Sequence, residues 1–595
     1  MVVKDFFLRC RMFISVHWVA ILAACIVGII CVLPQIVFRV SLGNQYQGIL
    51  MTQTPNEESY LAMLQEINDG HLAVASMPFY EYKDQLPLLP PTVPIIYVGF
   101  SNIFHLSLVD TLVVSKFFLP ALLFFFVYLL LRVLSGENTR TSAFFAITGG
   151  TLVVFGFDLV DYHTVANYVR GIDVSAGFLI WTRPVNPISG LILLFVFLLC
   201  LWLLLTKSKR LMIIPAGAAL ALMMASYFFS WSVALAIVGS IGLRALVLRR
   251  WKNSVDLCLV VITGVVLALP YWIMVWRAAH LPWYVEASAR IGLLTTHAPH
   301  LNKFLFFCVV IFLLASCMPF FIKKNKLSGE PLEAWWFCLS FLLAGFLAYN
   351  QQVITGREIW YYHYVFFTIP LGYVALLVAS WYFFRPYFRR LWLVSIVVIG
   401  VASLWLGVYT QVSAYKHGFP YFKNIQSNAQ IFNYFNKAPL DCVVLANEDD
   451  EGYYSINIPA FTHCNTYVSR ERFVIAPLER FYHNYLVFLR LRGITAEQIV
   501  DYIATHHDEG NSFLYAQLQS KLGYPDPVLA ETLRSIPDDY KAFLKKDFLS
   551  ELKKYRLDYI LSIEPLSPSV QRSLPSLLKV FQSGQIYIYT LGEIK

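Results

Sequence analysis

Charge is scarce in this sequence: 14% of its 595 residues are charged, while 58% are hydrophobic. That balance excludes a water-soluble fold for the first two-thirds of the chain, where apolar runs of spanning length follow one another. Cysteine in C-x-x-C spacing is missing, and so is a Gly-rich phosphate loop. The first absence leaves no support for a structural zinc site and the second none for a P-loop. No tandem repeat marks a solenoid. A net charge of +9 does not mark a nucleic-acid partner, because in the apolar two-thirds Lys and Arg sit mostly in short loops between the runs.

What is present is a series of about eleven apolar stretches: 17–38, 109–132, 141–157, 188–206, 211–228, 230–248, 254–276, 303–322, 333–349, 364–384 and 391–411. Each is long enough to be read as a membrane span. With the basic amino terminus in the cytoplasm, Arg132 and Arg140, KSKR (207–210), RRWK (249–252), KKNK (323–326) and RPYFRR (385–390) all fall on the cytoplasmic side. That agrees with the positive-inside rule at every such loop. The predicted location is the cytoplasmic (inner) membrane, multi-pass. The loops 39–108, 158–187, 277–302 and 350–363 then lie outside, and an odd number of spans places the carboxyl-terminal region outside as well.

The fold class expected is therefore an α-helical polytopic membrane bundle over 1–412, followed by a soluble extracytoplasmic α/β domain over 413–595. In that domain LDCVVLAN (440–447), LDYILSIE (557–564) and QIYIYTL (585–591) read as strands. SNAQIFNYFNK (427–437) and ITAEQIVDYIATH (494–506) read as helices, the second with Thr495 and Gln498 placed for a capping box. Of the ten cysteines, only Cys442 and Cys464 lie in this domain, and a disulfide between them suits an oxidising compartment.

The candidate chemistry lies in the outer loops. In TPNEESYLAMLQEINDGH (54–71), Thr54 can cap a helix, Pro55 suits its first position and Glu57 completes a T-x-x-E box. Tyr60, Leu61, Leu64 and Ile67 give the helix an apolar face, and Gly70 stops it. Capping accounts for Glu57 but not for Glu58. An ionised Glu here can take the proton of an acceptor hydroxyl, or hold a metal that neutralises a leaving phosphate.

Asp158, Asp161 and His163 leave the third apolar stretch together. The trio suits acid–base work or a divalent metal, Mg or Mn, and no other cofactor is expected. A solvated loop end is the plainer account. Arg183 in WTRPVNP can meet a phosphate or anchor the interface. In NQQVITGREIWYYHY (350–364), Gln352, Arg357 and His363 stand among Trp and Tyr. A guanidinium there suits a lipid phosphate, with an aromatic belt and a snorkelling Arg as the alternative. Lys116 lies a few residues inside the second span, where a charge is costly unless it works or snorkels. HAPH (297–300) offers two further His as weak metal candidates.

These pieces together resemble the GT-C superfamily of polytopic glycosyltransferases, in particular its bacterial mannosyl- and arabinosyltransferases. NEESYLAMLQEINDGH looks like the acidic first-loop motif of that family, and NQQVITGREIWYYHY like the late outer loop that meets the donor phosphate. The family usually shows an Asp in the first loop, commonly as an Asp-Asp or Asp-Glu pair, where this chain has Asn56-Glu57-Glu58. The resemblance implies sugar transfer with inversion from a polyprenyl-phosphate donor to an extracytoplasmic glycan, lipid or protein acceptor. Glu58 or Glu57 would act as base, and Arg357, Lys116, Arg183, His363 and Gln352 would face the donor phosphate. Asp158, Asp161 or His163 would serve the acceptor or a metal. A ligase or polymerase for oligosaccharides shares the donor class. A transporter or flippase for a lipid-linked saccharide would need polar residues deep within several spans, and the middles of these spans are largely apolar.

Overall fold

The computed structural model describes residues 2–87, 89–172, 177–321, 329–448, 453–469, 474–514 and 527–592. The chain divides into two compact units. One comprises Met1–Glu57, Val109–Tyr271 and Thr295–Asn424; the other comprises Glu58–Leu108, Trp272–Leu294 and Ile425–Lys595.

The first unit is built of helices. Among the described residues, seven are long and apolar enough to cross a bilayer, and the broken pair Trp251–Leu267 and Leu269–Ala278 makes an eighth if counted as one span. Pro270 sits at that break, where it cannot donate to the preceding turn. About eleven spans were expected. Two of the stretches form shorter apolar helices instead, Arg140–Phe155 and Arg210–Met224, while Lys303–Phe321 runs to the edge of the described residues. Gly156 ends the first of these, and the turn at Ser226 and Tyr227 ends the second. A helix of 16 residues reaches about 24 Å at 1.5 Å per residue, short of a ~30 Å hydrocarbon core. Small residues bring helices close: a Cβ on Gly407 would lie 2.5 Å from the Phe155 ring, so helix Arg389–Asn424 approaches Arg140–Phe155 where only glycine fits. The KKNK segment at 323–326 lies outside the described residues.

The second unit contains a five-stranded sheet. Its order is Asn465–Thr466, Val443–Asn447, Tyr559–Ser562, Ile586–Leu591, Leu577–Ser583. The first three strands run parallel and the last two complete an antiparallel edge. The segments 440–447, 557–564 and 585–591 each contain a strand, and Ala429–Phe435 is helical as read. Leu577–Ser583 and Asn465–Thr466 were not anticipated. The first carries mostly exposed or half-exposed residues and the second is two residues long, so neither has the alternation that marks a strand. The helix expected over 494–506 is confined to Ile499–Thr505, and Gln498 accepts from the Thr495 amide at 3.0 Å, one half of the expected box.

The expected domain boundary at 412/413 lies inside helix Arg389–Asn424, and the units divide at Asn424. Two loop stretches, Glu58–Leu108 and Trp272–Leu294, group with the carboxyl-terminal region. Buried polar contacts hold them there. Lys83 pairs with Asp441 and lies 3.2 Å from Glu66. Arg290, 3% exposed, donates to the Val474 and Ala476 carbonyls and lies 3.6 Å over the Phe481 ring.

Glu66 is buried with Oε2 lacking a partner among the described residues. Burial pushes its carboxyl up to about 8, with Lys83 pulling the other way. A group that keeps its proton longer in the fold than in the open chain stabilises fully at low pH. That contribution falls as pH rises from the ordinary value of 4.5 through about 8. Thermal unfolding of the purified chain across this range should therefore show a decline with pH that Glu66→Gln flattens. An identical slope in the variant would mean that another group titrates.

Cys442 and Cys464 form a disulfide with a sequence separation of 22 residues. Closing a loop of that size contributes about 3 kcal/mol in the chain-entropy account. Replacing both by Ser should lower the unfolding midpoint clearly, and peptide mapping without reductant should recover the two cysteines joined.

Candidate active site

The first-loop acidic pair opens helix Glu57–Asn68. Tyr60, Leu61, Leu64 and Ile67 are buried, as the apolar face requires. The helix ends in two backbone bonds across Gly70: the Gly70 amide to the Ile67 carbonyl at 3.1 Å and the His71 amide to the Glu66 carbonyl at 2.9 Å. Gly70 has φ +106°, a conformation that glycine adopts without strain.

The start of the helix differs from the expectation. Asn56 has φ 57°, so Pro55 and Asn56 stand outside the helix and Glu57 is its first residue. Asn is among the few side chains that tolerate this region. Glu57 does reach back to the Thr54 amide, at 3.3 Å. The Thr54 hydroxyl, however, donates to the same carboxylate oxygen at 2.8 Å and does not cap an amide.

Glu57 has a further partner that the sequence did not reveal. It is fully buried, and Lys116, 2% exposed, forms an ion pair with its other oxygen. Lys116 also donates to the Thr182 carbonyl at 3.2 Å. The ammonium placed by sequence at the donor phosphate is thus engaged by a carboxylate and a carbonyl. Glu58, the next residue, is half-buried.

Thr182 leads directly to Arg183, which is 6% exposed. Trp181 anchors this turn through its indole N–H to the Val153 carbonyl at 2.9 Å, and the Thr182 hydroxyl closes it onto Leu179 at 2.7 Å. His363 hydrogen-bonds through Nδ1 to the Tyr227 hydroxyl at 2.7 Å and packs against Trp360, Phe229 and Phe366. Lys116 and the turn that carries Arg183, distant in sequence, are thus joined through Thr182.

Gln352 and Arg357 sit on a separate segment. Gln352 is buried and donates to the Ala298 carbonyl at 2.9 Å, so it ties two loops together. Arg357 is exposed. The two His of HAPH have structural partners: His297 Nδ1 meets the Val353 carbonyl at 3.0 Å, and His300 Nε2 meets the buried Glu358 at 2.7 Å while its ring stacks on Tyr361. Tyr227 and Glu358 were both missed. Tyr227 lies at the end of the apolar stretch 211–228 and Glu358 next to Arg357, and neither position carries a local pattern that marks its partner.

The acidic trio separates by role. Asp161 caps helix Tyr162–Val169, accepting from the His163 amide and the Thr164 hydroxyl. The Thr164 bond holds its carboxyl below the usual range. His163 is exposed, with its ring against Tyr162. Asp158 has no side-chain hydrogen bond among the described residues, and burial, then the charge of Asp161, raise its carboxyl. It is the member of the trio left for a ligand. Among the described residues, the one group of three metal-ligand side chains brought close together is Cys442, His463 and Cys464. Its two sulfurs are joined in the disulfide and are not thiolates.

No family model matches the chain, and no curated protein does. The chain is similar to ArnT from Cupriavidus metallidurans. Solved bound to undecaprenyl phosphate, that protein is 12% identical, with a TM-score of 0.44 over 95% of this chain and 98% of that one. Also similar is the oligosaccharyltransferase AglB from Archaeoglobus fulgidus, in complex with an inhibitory peptide and a dolichol-phosphate. It is 12% identical, with a TM-score of 0.39 over 97% of this chain and 74% of that one. An Archaeoglobus fulgidus oligosaccharyltransferase in complex with Zn and sulfate gives 13% identity and a TM-score of 0.42, over 90% and 67%.

Proposed function

We propose that this chain is a membrane glycosyltransferase that moves a sugar, with inversion, from a polyprenyl-phosphate-linked donor to an extracytoplasmic acceptor. The observation that carries the reading is the fully buried Glu57, held by Lys116 and Thr54. That pair gives Glu57 a structural part at the head of the first-loop helix, and the chemistry is assigned to the adjacent Glu58, half-buried on the same helix. Glu58 takes the proton of the acceptor hydroxyl as its oxygen attacks the anomeric carbon. The bond from that carbon to the phosphate oxygen breaks, and polyprenyl phosphate leaves with its electron pair. Arg183, with Arg357 on the exposed loop, offsets the charge that develops on the phosphate. Asp158 orients the acceptor, or would hold a divalent metal, Mg or Mn, whose charge shields the leaving group.

On this reading the protein lies in the inner membrane, with its amino terminus in the cytoplasm and the carboxyl-terminal region that follows Asn424 outside. The basic loops favour this orientation, and so does a disulfide in the carboxyl-terminal region. The test is transfer by the full chain in lipid vesicles, supplied with a panel of polyprenyl-phosphate sugars and with envelope extracts as acceptors. Labelled sugar appearing on an acceptor supports the reading. Appearance of multi-sugar units alone would make the chain an oligosaccharide ligase or polymerase. Movement of the labelled lipid across the vesicle without transfer would replace the enzyme by a flippase.

A further inference from the structure

Helices Ile188–Lys207, Phe228–Val247 and Glu330–Tyr349 each have 20 residues, about 30 Å of length. Thr182, Tyr227 and Arg357 lie just beyond one set of their ends. At the other set, a groove opens. A cavity of about 60 Å³ adjoins one of about 220 Å³, and Leu205, Thr206, Ile241, Arg244 and Glu333 line both. The deeper part is walled by Trp202, Trp336, Phe337 and Leu343; the mouth carries Arg250, Asn253 and Glu330.

The charges of the groove are unequal. Glu333 accepts two bonds from Arg244, at 2.6 and 3.0 Å, and a third from Arg250 at 2.8 Å. One carboxylate therefore serves two guanidinium groups. Lys207 pairs with Glu330, so three cations face two acids and a net charge of +1 remains. Arg244 Nε is buried and has no partner among the described residues, and its guanidinium lies 5.0 Å from the Trp336 ring. The outer surface next to the groove is apolar: Leu243, Leu246, Val247, Leu248 and Trp251 are all exposed. An anion drawn here from water would meet an apolar surround, whereas a lipid can fill both parts of the site. Paired guanidinium groups recognise phosphate oxygens, and basic pockets between spans take anionic lipid headgroups.

We propose that this groove, at the end of the helices away from Thr182 and Tyr227, binds the phosphodiester headgroup of an anionic phospholipid. The phosphate meets Arg244 and Arg250, and an acyl chain lies along Ile241, Phe337 and Leu343. The site is separate from the sugar-transfer reaction, and its test reads binding alone. The purified full chain in neutral detergent is given equal amounts of phosphatidylglycerol and phosphatidylcholine, and retained lipid is read by native mass spectrometry. Phosphatidylglycerol should be retained about tenfold over phosphatidylcholine, a difference one charge-assisted contact can supply. The preference should weaken in Arg250→Gln, which alters only the mouth. It should vanish in Arg244→Gln/Arg250→Gln/Glu333→Gln, which removes both cations without stranding the acid. Equal retention of the two lipids by the wild type, or an undiminished preference in the triple variant, would overturn the proposal. A third arm adds millimolar inorganic phosphate. Retention of the lipid supports a headgroup site, and full release would make it a site for free anions instead.

Discussion

Glu58→Gln is expected to lower sugar transfer by about 10²–10⁴-fold, the range a positioned general base supplies. Gln keeps the size of the side chain and removes its capacity to accept a proton. The helix that carries it is held at its head by Glu57 and at its tail by the turn at Gly70, so the unfolding midpoint should stay near that of the wild type. Acceptor KM should change little while kcat falls, because the lost contact matters most as the hydroxyl proton departs. Transfer within threefold of wild type would remove Glu58 as base and direct attention to Asp158, the half-buried acid whose carboxyl is raised. Glu57→Gln differs in kind, since it strips Lys116 of its carboxylate and should disturb folding before chemistry.

Lys116→Met is expected to destabilise the protein by about 3–5 kcal/mol, the typical effect of stripping a buried charge of its partner. Glu57 is fully buried and would keep only the Thr54 amide and hydroxyl, while the Thr182 carbonyl would lose a donor. The double variant Glu57→Gln/Lys116→Met should recover most of the loss, because it removes both charges. A double-mutant cycle read by unfolding in detergent measures the coupling directly. If Lys116→Met folds as well as wild type and loses only transfer, the ammonium belongs to the donor phosphate, as its position in the second span first suggested.

The sequence by itself determined the membrane character and the main elements. Apolar runs with charge confined to short loops require helices in a bilayer, and the short runs of β-branched and aromatic residues at 440–447, 557–564 and 585–591 read as strands. It also singled out the first-loop helix, because its face, stop and T-x-x-E spacing are all local. Local pattern did not decide which runs reach full spanning length, since Gly156 and the turn at Ser226 end two of the helices early.

Only the tertiary structure decided the partners of the charged residues. Lys116 and Glu57 lie 59 positions apart, and nothing in either neighbourhood specifies their pairing. Lys83 and Asp441 meet across 358 positions and bring a first-loop segment into the carboxyl-terminal unit. Ion pairs at that separation depend on packing that places both groups out of water. Helical and strand periods, by contrast, are written in neighbours a few residues apart. The same distinction divides the acidic residues. Asp161 capping its own helix is a local arrangement within three residues, whereas the burial that raises Asp158 exists only once the bundle has assembled around it.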